Sequence, residues 1–353
     1  FDVVIGNPPY LRVRNESKKY RDYYLQNFKV AINQFDFYHL FIELSYKLSD
    51  NSSLISLIVP NTFLGNESNK LLRSFILEKL NINSVLDTRQ KVFDDAEVDV
   101  IVIVFGGREN KYFEMNDNEI FYKHKFNQDS FKRNMNYNFT LTLDEKSQNI
   151  FSKINNKMSL VSDFLDVTTG LKEYQVGKGC PPQKMIDKQQ RVFNSLTKKN
   201  EYFKKELRGK NIHRYSLNWN NEYLKYGEWL AEPRNPKFFT GKRLLIRKIP
   251  SEKYLVLTYV EEDYVIDQSL YIGKPIDGFI NIKFILGCLN SKITHWYFTN
   301  LYNEFDELFP QIKTREFKNL PIPTTDDFNK NKIERIVNQI LSAKANNPEA
   351  ETS

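Results

Sequence analysis

Short apolar runs alternate with amphipathic segments over the first hundred residues of the chain. Four runs rich in β-branched residues predict buried strands. Between them, apolar residues recur every three or four positions, which predicts helices that each bury one face. The expected strands are residues 1–6, 54–59, 82–87 and 98–105, and the expected helices are residues 36–50 and 71–80. This alternation indicates an open α/β sheet with parallel pairing, and the close spacing of the last two strands indicates a terminal hairpin.

The pattern changes after residue 107. Residues 108–160 are rich in Asn, Lys and Phe and have weak periodicity, which predicts a linker with a β excursion and a helix near Glu145–Ile154. Residues 161–323 combine many aromatic residues with short strand-like runs and one apolar helix from Ile282 to Tyr297, which predicts an α+β domain. We therefore expect two domains, at residues 1–107 and 161–323, joined by the linker and followed by a C-terminal helix and tail at residues 324–353.

Composition excludes several classes of protein. The chain has 353 residues, of which 41% are hydrophobic, which is enough for two globular cores. No apolar run approaches the roughly 20 residues that cross a bilayer, and the start has no signal-peptide pattern. The two cysteines, Cys180 and Cys288, and four isolated histidines do not suffice for a disulfide framework or a zinc site. We therefore expect a cytoplasmic protein that binds no metal and no membrane.

The positive charge of the chain is concentrated in its second half. The formal net charge is +7, yet residues 1–106 carry 12 Lys and Arg against 13 Asp and Glu. Residues 161–323 carry 26 basic against 19 acidic side chains. This distribution favours a module that binds a polyanion, nucleic acid above all, attached to a nearly neutral unit. Surplus lysine that serves only solubility is the alternative.

The tetrapeptide Asn7-Pro8-Pro9-Tyr10 directly follows the first predicted strand, and ligands of open α/β sheets bind outside the carboxyl ends of the strands. A nitrogen joined to a π-system is a poor nucleophile, since its lone pair is delocalised. The Asn7 side-chain oxygen and the Pro8 carbonyl can each accept one N–H of such a group, which favours attack on an electrophile. The two prolines fix the direction of that carbonyl, and Tyr10 offers a face for a planar substrate. A plain turn after a strand is the alternative.

Together with segments that follow in a set order, this motif resembles the gamma-type N6-adenine DNA methyltransferases of type II restriction–modification systems, including type IIG-like enzymes that fuse methylase and nuclease. The resemblance is carried by Phe1–Tyr10, by Asp36-Phe37-Tyr38 with Phe41 and Glu43, by Ile58-Val59-Pro60-Asn61-Thr62-Phe63-Leu64, and by Val92-Phe93-Asp94-Asp95-Ala96-Glu97-Val98. It implies an α/β fold: the C-terminal half of a Rossmann-like methyltransferase sheet, followed by an α+β target-recognition domain.

The resemblance also implies roles for single residues. Asn7 and Pro8, held by Pro9, would bind the adenine amino group, and Tyr10 would stack on a base flipped out of the duplex. Phe93 would supply a second aromatic contact to that base. Phe41, with Asn7, would lie near the methyl donor, S-adenosylmethionine. Ordinary core packing is the alternative for both phenylalanines.

The second half of the chain resembles the TaqI-like specificity domain of these enzymes. The matching segments are Arg208–Tyr215 with Trp219, Phe238–Arg247, Leu289–Lys292, and Phe309–Lys313 leading to Leu320–Pro323. Basic side chains in these segments could neutralise the phosphates of double-stranded DNA while loop residues read base edges. The candidates are Lys210, Arg214, Lys242, Arg243, Arg247, Lys248 and Lys313. For any single lysine, a solvated surface position is the alternative.

The chain departs from this family in its methyl-donor motifs, because it has no glycine-rich turn of the kind that holds S-adenosylmethionine. Gly106-Gly107 and Gly177-Lys178-Gly179 are its close glycine pairs, and neither has the context of a cofactor turn. The chain also begins at Phe1 inside a predicted strand. We therefore expect the cofactor half upstream or in another chain, and a fragment that is inactive alone. We also expect an exposed apolar edge at Val3–Ile5, which is a site of aggregation or of partner binding.

Two other functions remain open. An amide nitrogen poses the same chemical problem as an adenine amino group, so the motif could serve a protein-glutamine or RNA N-methyltransferase. Residues 161–323 argue against this, because such enzymes usually lack a long domain after the catalytic fold. Alternatively, the chain is a non-catalytic DNA-specificity module whose catalytic remnant is only a scaffold. No metal-nuclease pattern is found in the sequence.

Overall fold

The computed structural model describes residues 1–13, 16–32, 34–88, 99–106, 112–117, 124–141, 145–156, 158–277, 280–302, 311–347 and 350. The chain divides into two compact units, Phe1–Asn156 with Asn300–Tyr302 and Lys157–Thr299 with Asn303–Ser353. Helices and strands alternate in the first unit and mix in the second. The predicted α/β class is confirmed. Among the described residues, no helix is both long and apolar enough to cross a membrane.

A six-stranded mixed sheet forms the centre of the first unit. Its elements are β1 (Val3–Gly6), α1 (Lys18–Asn27), α2 (Phe37–Leu48), β2 (Leu54–Pro60), α3 (Lys70–Lys79), β3 (Ile82–Asp87), β4 (Val100–Gly106), β5 (Tyr112–Asp117), β6 (His124–Asn127) and α4 (Glu145–Asn156). The strand order is β1-β2-β4-β3-β5-β6. β1 pairs with β2 and β3 with β5 in parallel, whereas β4 is antiparallel to both of its neighbours.

The sheet extends further than the sequence predicts. β3 and β4 pair in the predicted antiparallel manner, but this pair is not terminal, since β5 and β6 continue the sheet beyond β3. Both added strands come from the segment that the sequence assigns to a linker. The sequence predicts a β excursion in this segment but not that it joins the sheet, because the pairing of β5 with β3 and of β6 with β5 depends on contacts outside the segment's own pattern. The predicted functional boundaries of the domains stay a prediction.

Among its described residues, the second unit contains two four-stranded sheets, two two-stranded sheets and a pair of packed helices. Its elements are β7 (Met158–Leu160), α5 (Val161–Phe164), β8 (Leu165–Thr169), α6 (Met185–Gln190), β9 (Asn194–Ser195), β10 (Phe203–Leu207), β11 (Ile212–His213), β12 (Ser216–Leu217), β13 (Tyr223–Lys225), β14 (Arg243–Arg247), β15 (Leu257–Val260), β16 (Val265–Ile266), β17 (Leu270–Pro275), α7 (Ile282–Leu289), α8 (Lys292–Tyr302), α9 (Thr314–Lys318), β18 (Pro321–Pro323) and α10 (Asp327–Asn346). The four-stranded sheets have the orders β15-β14-β17-β8 and β16-β10-β13-β9, and the two-stranded sheets pair β11 with β12 and β18 with β7.

The apolar helix predicted from Ile282 to Tyr297 is two helices, α7 and α8, because the chain breaks at Asn290. The Asn290 side chain accepts a hydrogen bond from the Leu257 N–H (3.1 Å) and donates one to the Leu257 carbonyl (3.0 Å). The Asn290 side chain therefore makes the hydrogen bonds to Leu257 that a neighbouring strand would make on this edge of the sheet. Packing of α7 on α10 requires Gly287, since a Cβ there would lie 2.8 Å from the Ile333 side chain.

Candidate active site and nucleic-acid interface

The Asn-Pro-Pro-Tyr turn leaves the carboxyl end of β1 at the edge of the sheet where the parallel strand β2 also ends. Gly6, the last residue of β1, lies opposite Leu57 of β2. Asn7 and Pro9 are exposed, Pro8 is buried and Tyr10 is half-buried. The turn therefore presents the Asn7 amide outward at the sheet edge where ligands of such folds bind.

The Tyr10 hydroxyl anchors this turn. It lies 3.1 Å from Asn7 Oδ1 and 3.1 Å from the Ile58 carbonyl oxygen, so its single proton is shared between two acceptors. The Tyr10 ring meets the buried Tyr38 ring edge to face, with centroids 6.5 Å apart. Burial raises the pKa of Tyr10, so the hydroxyl stays a donor at neutral pH. The Asn7 amide oxygen is thus oriented and keeps a lone pair for another donor.

A buried arginine that the sequence analysis does not identify holds the turn after β2. Arg73 of α3 is fully buried, and its guanidinium donates to the carbonyls of Phe63 (2.6 Å), Asn66 (2.7 Å) and Asn136 (3.0 Å). Burial lowers the pKa of Arg73 to about 9. The only sequence signal is a basic residue within the apolar stripe of a predicted helix. Arg73 thereby fixes the turn that begins at the end of β2, where the Asn7 turn also lies.

Phe41 lies on α2, one helical turn after Tyr38. Its ring is 41% exposed, whereas Tyr38 is buried. Leu44 and Leu48 follow Phe41 at helical spacing and are also exposed. The start of β1 joins this helix, because the Phe1 amino group donates to the Leu48 carbonyl (3.0 Å).

Exposed apolar side chains also line β1, which is an edge strand in the described sheet. Val3 is 55% exposed and Ile5 is 80% exposed. Phe93 lies outside the described residues. The chain around it leaves β3 after Asp87 and enters β4 at Val100, which pairs with Pro60 at the end of β2. The segment that contains Phe93 therefore begins and ends at the same edge of the sheet as Asn7.

The candidate phosphate contacts of the second unit do not form one cluster. Lys242 precedes β14 and Lys248 follows it, and a five-residue strand is roughly 16 Å long. Hydrogen bonds connect the end of β14 at Lys248 to the segments that contain Lys210 and Lys313. Lys248 N–H donates to Ser269 O, Gly209 N–H donates to Ser269 Oγ, and Ile312 N–H donates to Lys248 O. The neighbours of Lys210 and Lys313 in the chain, Gly209 and Ile312, are thus linked to Ser269 and to Lys248, at the end of β14 opposite Lys242.

Arg243 does not suit the phosphate contact that the sequence predicts. Its side chain is fully buried, and its guanidinium donates to the carbonyls of Gly241 (2.7 Å) and Glu262 (2.5 Å). Burial lowers its pKa to about 10. A side chain held in this way cannot reach a ligand on the surface, so we remove Arg243 from the candidate set. The sequence does not distinguish Arg243 from Lys242, because the two basic residues are adjacent and only the fold buries the first residue of β14.

The remaining candidate phosphate contacts differ in their exposure and in the contacts that their side chains already make. Lys242 is exposed and Arg247 is half-buried. Lys210 pairs with Glu222. The Arg214 guanidinium stacks 4.0 Å from the Tyr254 ring centroid, and its Nε donates to the Asn290 carbonyl (3.2 Å). Lys248 lies 4.8 Å from the Tyr271 ring centroid, and burial lowers its pKa.

A basic cavity of about 450 Å³ opens near the other end of β14, and the sequence analysis does not identify it. Its lining includes three lysines, Lys237, Lys274 and Lys318, together with Asp166. The lysines are widely separated in sequence, so no local charge run marks the cavity. Among the described residues, no group of three His, Cys, Asp or Glu side chains is placed to hold a metal ion.

Comparison with known proteins finds one matching family model for each unit of the chain. Residues 1–93 match the family model of the Eco57I restriction-modification methylase, and residues 204–322 match that of the TaqI-like C-terminal specificity domain. The chain is thus similar to restriction–modification methylases that carry a specificity domain, and the resemblance predicted from sequence is confirmed.

Particular relatives agree with this class. The putative type II restriction enzyme and methyltransferase RM.MjaORFECS2P of Methanocaldococcus jannaschii is 26% identical over 345 residues, which cover 91% of this chain and 27% of that protein. The type II restriction enzyme and methyltransferase RM.Eco57I of Escherichia coli is 27% identical over 168 residues, covering 46% of this chain and 16% of that protein. The chain therefore spans about a quarter or less of these curated relatives.

The fold matches a solved enzyme over nearly the whole chain. The Type IIL restriction-modification enzyme MmeI, solved in complex with DNA, superimposes with a TM-score of 0.60 at 14% identity, covering 99% of this chain and 50% of that one. At this identity the likeness concerns the fold alone. It agrees with the predicted fold class, a Rossmann-like methyltransferase sheet followed by a specificity domain.

Proposed function

We propose that this chain supplies the base-binding and target-recognition parts of a site-specific DNA adenine-N6 methyltransferase in a restriction–modification enzyme. The observation that carries the proposal is the Asn7 amide, exposed at the carboxyl end of β1 and oriented by the Tyr10 hydroxyl at 3.1 Å. The two family matches support the pairing of this site with a DNA-specificity domain.

The chemistry follows from the acceptors of the turn. Asn7 Oδ1 and the Pro8 carbonyl each accept one N–H of the adenine amino group, which draws electron density onto N6. S-adenosylmethionine, when bound, supplies the electrophilic methyl group. Positive charge would develop on N6 as the bond to the methyl group forms and the bond between that methyl group and the donor sulfur breaks, and the two oxygens would stabilise this charge. The proton that N6 then loses would pass to solvent. Asn7 acts as an acceptor and not as a base, since an amide oxygen does not hold a proton at neutral pH.

The target base must leave the duplex to reach this turn. Adenine N6 is paired inside double-stranded DNA, and flipping costs a few kcal/mol. The half-buried Tyr10 ring offers a stacking face, and stacking on an aromatic ring contributes about 1 to 3 kcal/mol per base. We assign Phe93 as the second aromatic contact, because the segment that contains it begins and ends at the edge of the sheet where Asn7 lies.

The residues present fit one side of a methyl-donor site. Phe41 offers an exposed aromatic ring one helical turn from Tyr38, which contacts Tyr10, and this ring suits the purine of S-adenosylmethionine. Further strands, in the same chain or another, would supply the rest by pairing with β1. The exposed Val3 and Ile5 support that pairing, since an edge strand with apolar side chains is a surface for strand addition.

The second unit is the proposed DNA-binding part. Lys210, Arg214, Lys242, Arg247, Lys248 and Lys313 remain the candidate phosphate contacts after Arg243 is removed. The spread of these cations over two ends of one sheet suits an extended ligand with many charges, as a DNA backbone is. The free thiols of Cys180 and Cys288 support a reducing compartment, and we propose the cytoplasm.

The Asn7→Ala variant tests the proposal in an enzyme that joins this chain to its methyl-donor site. Transfer of a labelled methyl group to DNA adenine should fall at least a thousandfold, while the affinity for duplex DNA stays within twofold. Asn220→Ala, an exposed asparagine in the second unit, is the matched control and should change neither quantity. The isolated chain should bind duplex DNA but transfer no label.

Three outcomes contradict this function. Methylation that survives Asn7→Ala excludes the proposed acceptor. Methylation by the wild-type chain alone excludes the need for further strands. A joined enzyme that binds DNA but never methylates it favours the non-catalytic specificity module.

A further inference from the structure

Residues 170–184, between β8 and α6, form a hydrogen-bonded segment that begins buried and is exposed at residues 176–178, 180–182 and 184, and the chemistry above gives it no role. The buried Gln183 side chain holds it from beneath. Its Nε2 donates to the carbonyls of Glu173 and Trp229, both at 2.8 Å, and its Oε1 accepts from Gln175 N–H at 2.9 Å. Main-chain hydrogen bonds close the turn, since Gly177 N–H donates to Gln183 O and Gln183 N–H donates to Lys178 O.

Two glycines make the outer part of this turn possible. Gly179 has φ +84°, and a Cβ there would lie 2.3 Å from the Trp229 carbonyl oxygen. Gly177 has φ +80°, and a Cβ there would meet nothing within 4 Å. The turn therefore packs against the Trp229 main chain at Gly179, whereas no atom packs against the Cβ position of Gly177. Lys178 lies between these glycines, so its position is set although its side chain is exposed.

The exposed side of the turn carries two lysines, Lys178 and Lys184. No acidic residue occurs between Glu173 and Asp187, whereas Lys178 and Lys184 are both exposed. Neither lysine side chain has a hydrogen bond or ion pair within the described residues. The Asp187 carboxylate accepts from the Lys184 main-chain N–H at 2.7 Å, and the Glu173 carboxylate is held by Arg208 at 2.6 Å. Both of these acids have hydrogen-bond partners, and Glu228, whose main-chain carbonyl accepts from the Cys180 N–H, is a further exposed acid next to the turn.

We infer that the turn of residues 177–184 is a preformed clamp for the phosphate backbone of duplex DNA, with Lys178 and Lys184 as its contacts. The inference rests on the proposed DNA-binding function and adds a site that lies outside the predicted set of cations. Ordering a flexible loop on binding costs free energy, and Gln183 removes that cost because the turn is already fixed. Contacts to phosphate position a duplex without reading its sequence.

The salt dependence of duplex binding by the 353-residue chain tests the clamp. Fluorescence anisotropy of a labelled duplex at several salt concentrations gives the slope of log K against log[salt]. Lys178→Gln and Lys184→Gln should each reduce that slope by about one, because each removes one phosphate contact. Lys178→Arg keeps the charge and should keep the slope. Gln183→Ala loosens the turn without changing its charge, so affinity should fall while the slope stays constant.

Lys330→Gln is the control, since Lys330 lies on α10 and pairs with Asp327 of the same helix. It should leave affinity and slope unchanged. Binding with an unchanged slope in both Lys178→Gln and Lys184→Gln overturns the clamp but leaves the proposed function standing. An unchanged affinity in Gln183→Ala overturns preorganisation by this side chain. A wild-type chain that binds no duplex at any salt concentration overturns both the clamp and the proposed DNA binding.

Discussion

Tyr10 shows how two parts of one side chain can serve different steps at the candidate active site. Its hydroxyl reaches Asn7 and the Ile58 carbonyl, and its ring contacts Tyr38. The sequence predicted the ring as a stacking face. The hydroxyl contact with Asn7 was not predicted, because it depends on how the turn folds back onto β2.

Tyr10→Phe and Tyr10→Ala separate these two parts. Tyr10→Phe keeps the ring and loses a hydrogen bond worth about 1 kcal/mol, so kcat/KM for methyl transfer should fall about fivefold. Tyr10→Ala also loses stacking of about 1 to 3 kcal/mol and should fall at least tenfold further. Initial rates of label transfer, measured in the enzyme joined to its methyl-donor site, give both values. Equal rates for the two variants would exclude stacking on this ring.

At the scale of elements, the break between α7 and α8 shows how a polar side chain can end a helix that apolar spacing predicts to continue. Asn290 bonds both main-chain groups of Leu257, and its own main-chain carbonyl accepts from Arg214. The apolar spacing continues across the break because both helices bury a face. The same scale explains β5 and β6, which the sequence placed in a linker although they extend the sheet.

Asn290→Ala should destabilise the second unit. The buried Leu257 N–H would lose its partner, which costs about 1 to 3 kcal/mol, whereas the Leu257 carbonyl keeps a hydrogen bond from the Tyr215 N–H. Urea unfolding followed by tryptophan fluorescence reports this unit, since Trp219, Trp229 and Trp296 all lie in it. Asn220→Ala is the exposed control and should change stability by less than about 0.5 kcal/mol. A loss of that small size in Asn290→Ala would show that water replaces the side chain.

At the scale of the whole molecule, the interior of the second unit contains charged groups that could make its stability depend on pH. The second unit buries two glutamates together, Glu173 and Glu206, which are 6% and 1% exposed. Arg208 donates to both, at 2.6 and 3.0 Å, and Asn194 Nδ2 bridges them. Burial, followed by the nearby charge of Glu173, raises the pKa of Glu206 to about 8. The folded unit therefore holds a proton that the unfolded chain releases near the ordinary pKa of glutamate.

This proton makes the stability of the second unit depend on pH. A carboxyl group with a raised pKa in the folded state stabilises the fold below its unfolded pKa, and that contribution is lost as pH rises towards 8. The free energy of unfolding should therefore fall between about pH 5 and pH 8. Glu206→Gln keeps the shape without the ionisation and should flatten this fall, as tryptophan-monitored urea unfolding would show. An identical pH dependence in the variant would mean that Glu206 is ionised in the folded protein.

The sequence by itself determined the features that depend on local pattern. The strands β1 to β4, the helices α2 and α3 and the Asn7–Tyr10 turn follow from apolar periodicity and from proline geometry, which act over a few residues. Only the tertiary structure decided which basic side chains are exposed and can contact a ligand. Arg243 is buried while Lys242 beside it is exposed, and the Arg73 guanidinium donates to carbonyls of two segments, the turn after β2 and the segment at Asn136. Contacts between residues far apart in the chain determine which charged side chains are buried, so the local sequence pattern does not predict their burial.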